Sequence, residues 1–234
     1  EPADEQGVTA ASLAVKPNFV DPDPGAGRGS GGYALFVGRL SQEKGLETLL
    51  AAWLALGAAM PLRIVGDGPL APMIGEAVSR QGNIEWLGRR PLDEVYRLLG
   101  EAAALVFPSR CYETFGRVII EAFAKGTPVI ASRLGAMADL IQDGRTGLLF
   151  EPGNVGDLVR QVRRLLGDPT LLSAMRVAAR SEYESHYTGT QNHEQLLAVY
   201  ERAIRERRPE RARTRRLNNS PECPRPVTTC PMPI

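Results

Sequence analysis

Cysteine, histidine and aromatic side chains are scarce in this chain of 234 residues, which has three cysteines, two histidines and 6% aromatics. The three cysteines are odd in number, and a reduced, cytoplasmic protein is the simplest expectation. Cys111 has no histidine near it in sequence to make it a catalytic thiol, and Cys223 and Cys230 lie close to the C-terminus. His186 and His193 lack a third ligand at useful spacing, so no metal centre is expected from them. Asp21-Pro22-Asp23 has the spacing of a carboxylate pair for a hard cation, but its proline-rich setting argues against that use. No apolar run of about 18 residues and no basic leader with an apolar core is present, so neither a membrane span nor a secretory signal is expected in this sequence. The formal net charge is only +1. Basic residues concentrate in Arg205 to Arg216, where seven arginines face two acids. That run lacks the interleaved aromatics of a single-strand binder, so nucleic acid is not an expected partner. A peripheral contact with anionic lipid headgroups at the inner face of a membrane, or a solvated tail, are the two readings of it.

What the chain has is an ordinary globular composition, 43% hydrophobic with 24 glycines. Apolar runs at 33–37, 62–65, 84–87, 103–107, 128–131 and 147–150 read as strands, with helical patterns between them. The alternation predicts an α/β fold with a mainly parallel sheet and helices on both faces. Three further helices are predicted over 155–166, 171–187 and 192–207.

The most informative stretch is Glu113-Thr-Phe-Gly-Arg-Val-Ile-Ile-Glu121. It follows the strand at 103–107, and ligands of open α/β sheets bind at the carboxyl ends of strands. Val118, Ile119, Ala122 and Phe123 recur at helical spacing, so a helix begins near Gly116 and its first turn offers free N–H groups to an anion such as a diphosphate. Glu113 would precede that end and Glu121 lie along the helix, each able to accept hydrogen bonds from two neighbouring hydroxyls of a sugar or ribose. The competing reading makes Glu113 a helix-start carboxylate and pairs Glu121 with Lys125.

A second segment follows the first strand: Gly38-Arg39, then Ser41-Gln-Glu-Lys44-Gly45. Ser41 is read as the N-cap of a helix running to Leu56. Lys44 then sits in a first turn that favours negative charge, and Gly45 weakens the young helix by roughly 1 kcal/mol. Such local conflicts tend to mark functional sites. Arg39 and Lys44 could clamp one diphosphate, or form an exposed basic pair against Glu43. Gly66-Asp67-Gly68 turns sharply after another strand but lacks the third glycine and the later acid of a dinucleotide fingerprint.

In order along the chain, Pro17-Asn-Phe-Val-Asp21, Phe36-Val-Gly-Arg39 with Glu43-Lys44-Gly45, Val65-Gly-Asp-Gly-Pro69, Pro108-Ser109, Glu113 to Ala122, and Gly126-Thr-Pro-Val-Ile-Ala131 resemble the C-terminal, donor-binding half of retaining glycosyltransferases of the GT-B fold, family 4. The resemblance covers about residues 13–205. It implies a Rossmann-like domain that binds a nucleotide-diphosphate sugar, UDP-sugar favoured, and moves a hexose-type sugar to a glycan, lipid or small-molecule acceptor. By resemblance, Arg39 and Lys44 bind the donor's phosphates, and Lys44 stabilises the leaving nucleoside diphosphate. Glu121 would hold the ribose, and Glu113 the transferred sugar. Gly38, Gly66 and the backbone of Thr114, Phe115 and Gly116 would lie against the donor, with no metal. Retention would follow from front-face substitution.

The same resemblance implies that residues 1–14 are the remnant of an N-terminal acceptor domain, 15–32 an interdomain linker, 33–208 the donor domain and 209–234 a disordered tail. The chain would then be inactive alone, and a binding or assembly module without activity of its own is the alternative. At Gly135-Ala-Met-Ala-Asp139 the chain departs from the family's paired glycines and later glutamate. The expectation there is that Ala136 could exclude a conformation only glycine adopts, altering donor position or sugar identity.

Overall fold

A computed structural model describes residues 13–217, with side chains described to residue 206. Six strands, β1 (Ala34–Val37), β2 (Leu62–Val65), β3 (Ile84–Gly88), β4 (Ala104–Phe107), β5 (Val129–Ser132) and β6 (Gly147–Phe150), form one sheet in the order β3-β2-β1-β4-β5-β6. Every pairing is parallel. The strands fall within a residue of the expected runs. They alternate with helices α1 (Leu46–Leu56), α2 (Ala71–Arg80), α3 (Leu92–Glu101), α4 (Arg117–Ala124) and α5 (Ala136–Leu140), followed by α6 (Val155–Gly167), α7 (Pro169–His186) and α8 (Gly189–Leu217).

Side chains of a strand alternate between faces, and here both faces are covered. Ala34, Phe36, Leu62, Ile64 and Val106 pack under α1, α2 and α6 around the fully buried Trp53. Leu35, Val65, Leu105, Phe107 and Val129 pack on the other side against α3, α4, α5 and α7. Burial on both faces is why the strands read as continuous apolar runs. Strand order reverses between β1 and β4, whose residues Ala34 and Leu35 pair with Ala104 and Leu105. A crevice therefore opens beyond the carboxyl ends of these two strands.

Residues 15–32, linker-like in composition, are strapped onto the domain by Val20 N–H to Tyr187 O, Gly27 N–H to Lys125 O, Gly29 N–H to Gly100 O and Gly31 N–H to Glu101 O, at 2.8–2.9 Å. Asp23 serves as an anchor here: its carboxylate accepts from both Arg180 Nη1 (2.9 Å) and Nη2 (2.6 Å). The described residues divide into two compact units, 15–193 and the pair 13–14 with 194–217; the sheet belongs to the first. In the second, Arg202 Nη2 donates to Leu13 O.

Helix α8 runs through Pro209 to Leu217, so the segment 209–217, read from sequence as disordered, is helical. Its Arg, Glu and Ala content favours helix enough to offset one proline in its interior. The remainder of the predicted tail and most of the predicted remnant, residues 218–234 and 1–12, lie outside the described residues. No helix among the described residues is long and apolar enough to cross a membrane.

Candidate functional site

The loop leaving β1 does not open as one helix capped by Ser41. Gln42–Lys44 form a single 3-10 turn, Gly45 adopts a left-handed conformation (φ 69°), and α1 begins at Leu46. Ser41 Oγ donates to the Glu43 carboxylate and not to a helix N–H. Gly45 is required by space as well as by φ, because a Cβ there would lie 1.9 Å from Pro108 O. The residue that weakens a helix is thus the point at which the β1 and β4 loops touch.

That contact brings the two charged motifs together. Lys44 Nζ donates to Glu113 Oε1 at 2.6 Å, with both side chains largely buried. Ser109 Oγ, in a residue 1% exposed, lies 2.6 Å from the same oxygen and donates to it. Lys44 Nζ also lies 5.7 Å from the centre of the Phe107 ring. Sequence places both Lys44 and Glu113 at strand ends but gives no sign that they pair.

Gly116, with φ 78°, is the N-cap of α4. The N–H groups of Thr114, Phe115 and Gly116 have no hydrogen-bond acceptor among the described residues, which leaves donors free beside the positive end of a helix dipole. The Phe115 side chain turns away from this opening and stands edge-on to Tyr187, ring centres 6.4 Å apart.

Arg39, exposed and in no ion pair among the described residues, lines a cavity of about 720 Å³ together with Gly38, Gly66, Asp67, Arg89 and Arg90. Gly66 forms the floor. A Cβ there would meet Gly38 O at 1.9 Å, so the glycine lets the β1 and β2 loop backbones touch. Asp67 accepts from Gly68 N–H (2.8 Å), shaping the turn, and also faces Arg89 at 3.8 Å. Arg89 and Arg90 were not singled out from sequence. Their signal was available, since they follow β3 directly, as Arg39 follows β1. Lys44 lines a smaller adjoining recess with Gly38, Phe107 and Ser109. Thr114, Phe115, Gly116, Glu113 and Glu121 do not line the larger cavity.

Glu121 is buried on α4 and faces Arg117 Nε at 3.3 Å. The predicted alternative partner, Lys125, is committed elsewhere: its Nζ donates to Pro24 O at 2.9 Å. Burial pushes the Glu121 carboxyl above its ordinary range, and Arg117 opposes the shift. Ala136 takes a helical position in α5, and no non-glycine residue among those described has positive φ. The departure from paired glycines is therefore accommodated without backbone strain. Asp139 is exposed on the same helix. No cluster of three metal-ligating side chains exists among the described residues.

A sheet of order 3-2-1-4-5-6 with its polar loops converging at the switch point is one Rossmann-like half of a GT-B architecture. The family of glycosyl transferases group 1 matches residues 31–168, and the chain belongs to it. It is 36% identical over 141 residues to an uncharacterized glycosyltransferase of Methanocaldococcus jannaschii, covering 59% of this chain and 39% of that one. It is 31% identical over 224 residues to the 2-deoxystreptamine glucosyltransferase of Streptomyces kanamyceticus, covering 86% and 57%. The crystal structure of Anabaena HepE in complex with UDP superposes with a TM-score of 0.67 at 23% identity, over 73% of this chain and 49% of that one. The chain thus spans between about two-fifths and three-fifths of the length of these relatives.

Proposed function

We propose that this domain binds a nucleotide-diphosphate sugar, UDP-sugar favoured, as the donor half of a retaining glycosyltransferase. One observation carries the reading: the pair formed by Lys44 and Glu113 at the β1/β4 switch point, beside the unpartnered N–H groups of Thr114 to Gly116. The donor's diphosphate replaces Glu113 as the counter-charge of Lys44, and Arg39 approaches it from the neighbouring cavity. Charge that develops on the departing diphosphate is then met by fixed donors, which is where such groups lower a barrier most. Glu113, released from Lys44 but still held by Ser109, accepts from hydroxyls of the transferred sugar. Glu121 offers the ribose the carboxylate oxygen that Arg117 does not take. Retention by front-face substitution requires no protein nucleophile, and the departing phosphate takes the acceptor's proton.

The acceptor, a glycan, lipid or small molecule, is held by a second domain of the kind that the relatives' additional length can supply. A cytoplasmic location, with Arg205 to Arg216 touching an anionic membrane face, suits a lipid acceptor. Support for the donor comes from HepE, solved with UDP-glucose as well as UDP, and from the glucosyltransferase named above. Calorimetric titration with UDP, GDP and ADP, then with the matching sugar nucleotides, tests the reading. Saturable binding of one diphosphate series is expected; no binding by any overturns it.

A further inference from the structure

The strap at residues 15–32 meets α7 across a cavity of about 490 Å³ lined by Gly27, Arg28, Ser173, Arg176, Arg180 and Glu184, with Ala26, Gly126, Val177 and Ser181 completing it. Its charges are not balanced. Arg180 is saturated by carboxylates, Asp23 on one side and Glu184 at 2.7 Å on the other. Arg176 has no carboxylate partner among the described residues. Its guanidinium donates only to the carbonyls of Ala102 (3.1 Å), Gly27 (3.0 Å) and Gly100 (3.4 Å). Lys125, 9% exposed, donates to the Pro24 carbonyl and shares the field of Asp23, which Arg180 already holds. Carbonyls satisfy hydrogen bonds but do not cancel a charge, and burial lowers the pKa of both groups. Arg28 stands exposed at the rim and in no ion pair among the described residues. Four cations along this seam therefore face two carboxylates.

A net positive charge around a concave site concentrates anions. The cleft has room for an anion larger than a bare phosphate. A water's share of liquid is about 30 Å³, so a bare tetrahedral anion would leave most of the space unfilled, whereas pockets from about 300 Å³ upward suit small organic ligands. Ser173 and Ser181 add hydroxyls on the α7 wall, suited to a ligand with hydroxyls of its own. We propose that this cavity, remote in sequence from the donor loops, binds a phosphorylated small molecule of sugar-monophosphate size. Arg28 and the free donors of Arg176 would hold its phosphate. Such a ligand would tie the strap to α7.

The proposal is tested by titrating the full chain with glucose 1-phosphate and, separately, with inorganic phosphate. The expected result is saturable binding of the sugar phosphate, weaker binding of the free ion, and affinity that falls with added salt. Arg28→Ala, a change at an exposed side chain with no fold role, should weaken the sugar phosphate about tenfold, the loss typical of one charged hydrogen bond. Arg176→Gln should weaken it further. Lys44→Ala should leave this binding unchanged, which separates the cavity from the donor site. Loss of binding in Lys44→Ala with none in Arg28→Ala would place the anion in the donor site and overturn the proposal, as would absence of binding by both probes. Equal affinity for the two probes would reduce the site to one for the free ion and overturn the assignment of ligand class.

Discussion

Two glutamates eight residues apart sit in opposite surroundings. Glu113 lies in the loop after β4, its charge met by Lys44 and its oxygen by Ser109. Glu121 lies inside α4, where burial penalises its charge and a mostly exposed arginine is the only counter-ion among the described residues. The loop carboxylate is at ease without a ligand; the helix carboxylate is not. A buried charge with incomplete compensation costs stability, so its retention is better explained by what it binds than by what it holds together. The comparison predicts that the two residues separate in every assay.

The largest effect is expected from removing the contact on which the loop half of the comparison depends. Gly45→Ala introduces a Cβ 1.9 Å from Pro108 O at a φ of 69°. Backbone must move, at a cost of about 3 kcal/mol. Thermal unfolding should show a midpoint lower by several degrees, and nucleoside diphosphate binding should fall with it. Unchanged stability would mean that the β1 and β4 loops do not touch as described.

Next in size is Lys44→Ala. Losing a charged partner of the diphosphate should weaken UDP by about tenfold or more, with uridine itself little affected and the difference shrinking in high salt. Equal loss for uridine and UDP would place the diphosphate elsewhere.

Glu121→Gln should weaken every nucleotide of the preferred base by roughly tenfold, bare diphosphate included. Its effect on stability should have the opposite sign. Because the folded carboxyl is raised above 4.5, the folded state holds more protons than the unfolded one between that value and the raised one. Stability attributable to this group is therefore full below about pH 4.5 and falls as pH rises through the folded value. At pH 7 the neutral variant should melt higher than wild type, and the difference should vanish on acidification. A variant that melts lower at neutral pH would show that Arg117 outweighs the burial.

Most of the fold was legible because burial on both faces writes each strand as an apolar run, as at Ala104–Phe107, and each helix as a 3.6-residue pattern, as in α4. The chemistry was legible as residue types: an arginine and a lysine after β1, two glutamates around the start of a helix. What could not be read was what partners what. Gly45 looked like a weakness of a helix because the 3-10 turn and the Pro108 carbonyl above it are tertiary facts. Residues 15–32 looked like a free linker because their composition says nothing of the carbonyls of Gly100, Glu101 and Lys125 that receive their N–H groups. Glu121 was offered Lys125 by helical spacing alone, and the strap took that lysine instead.

The smallest expected effect is also the most discriminating. Glu113→Gln keeps the size of the side chain but removes the charge that neutralises Lys44. Bare UDP must displace that charge in the wild type and need not do so in the variant, so its affinity should hold or improve by about threefold, a fraction of one charged hydrogen bond. The sugar nucleotide loses an acceptor for its hydroxyls and should bind about tenfold more weakly, which makes the ratio of the two affinities the quantity to measure. In a complete enzyme the same change should lower kcat more than it raises KM, because holding the sugar in its reacting pose matters most in the transition state. A variant that loses UDP and UDP-sugar equally would give Glu113 the role assigned to Glu121 and erase the distinction between loop and helix.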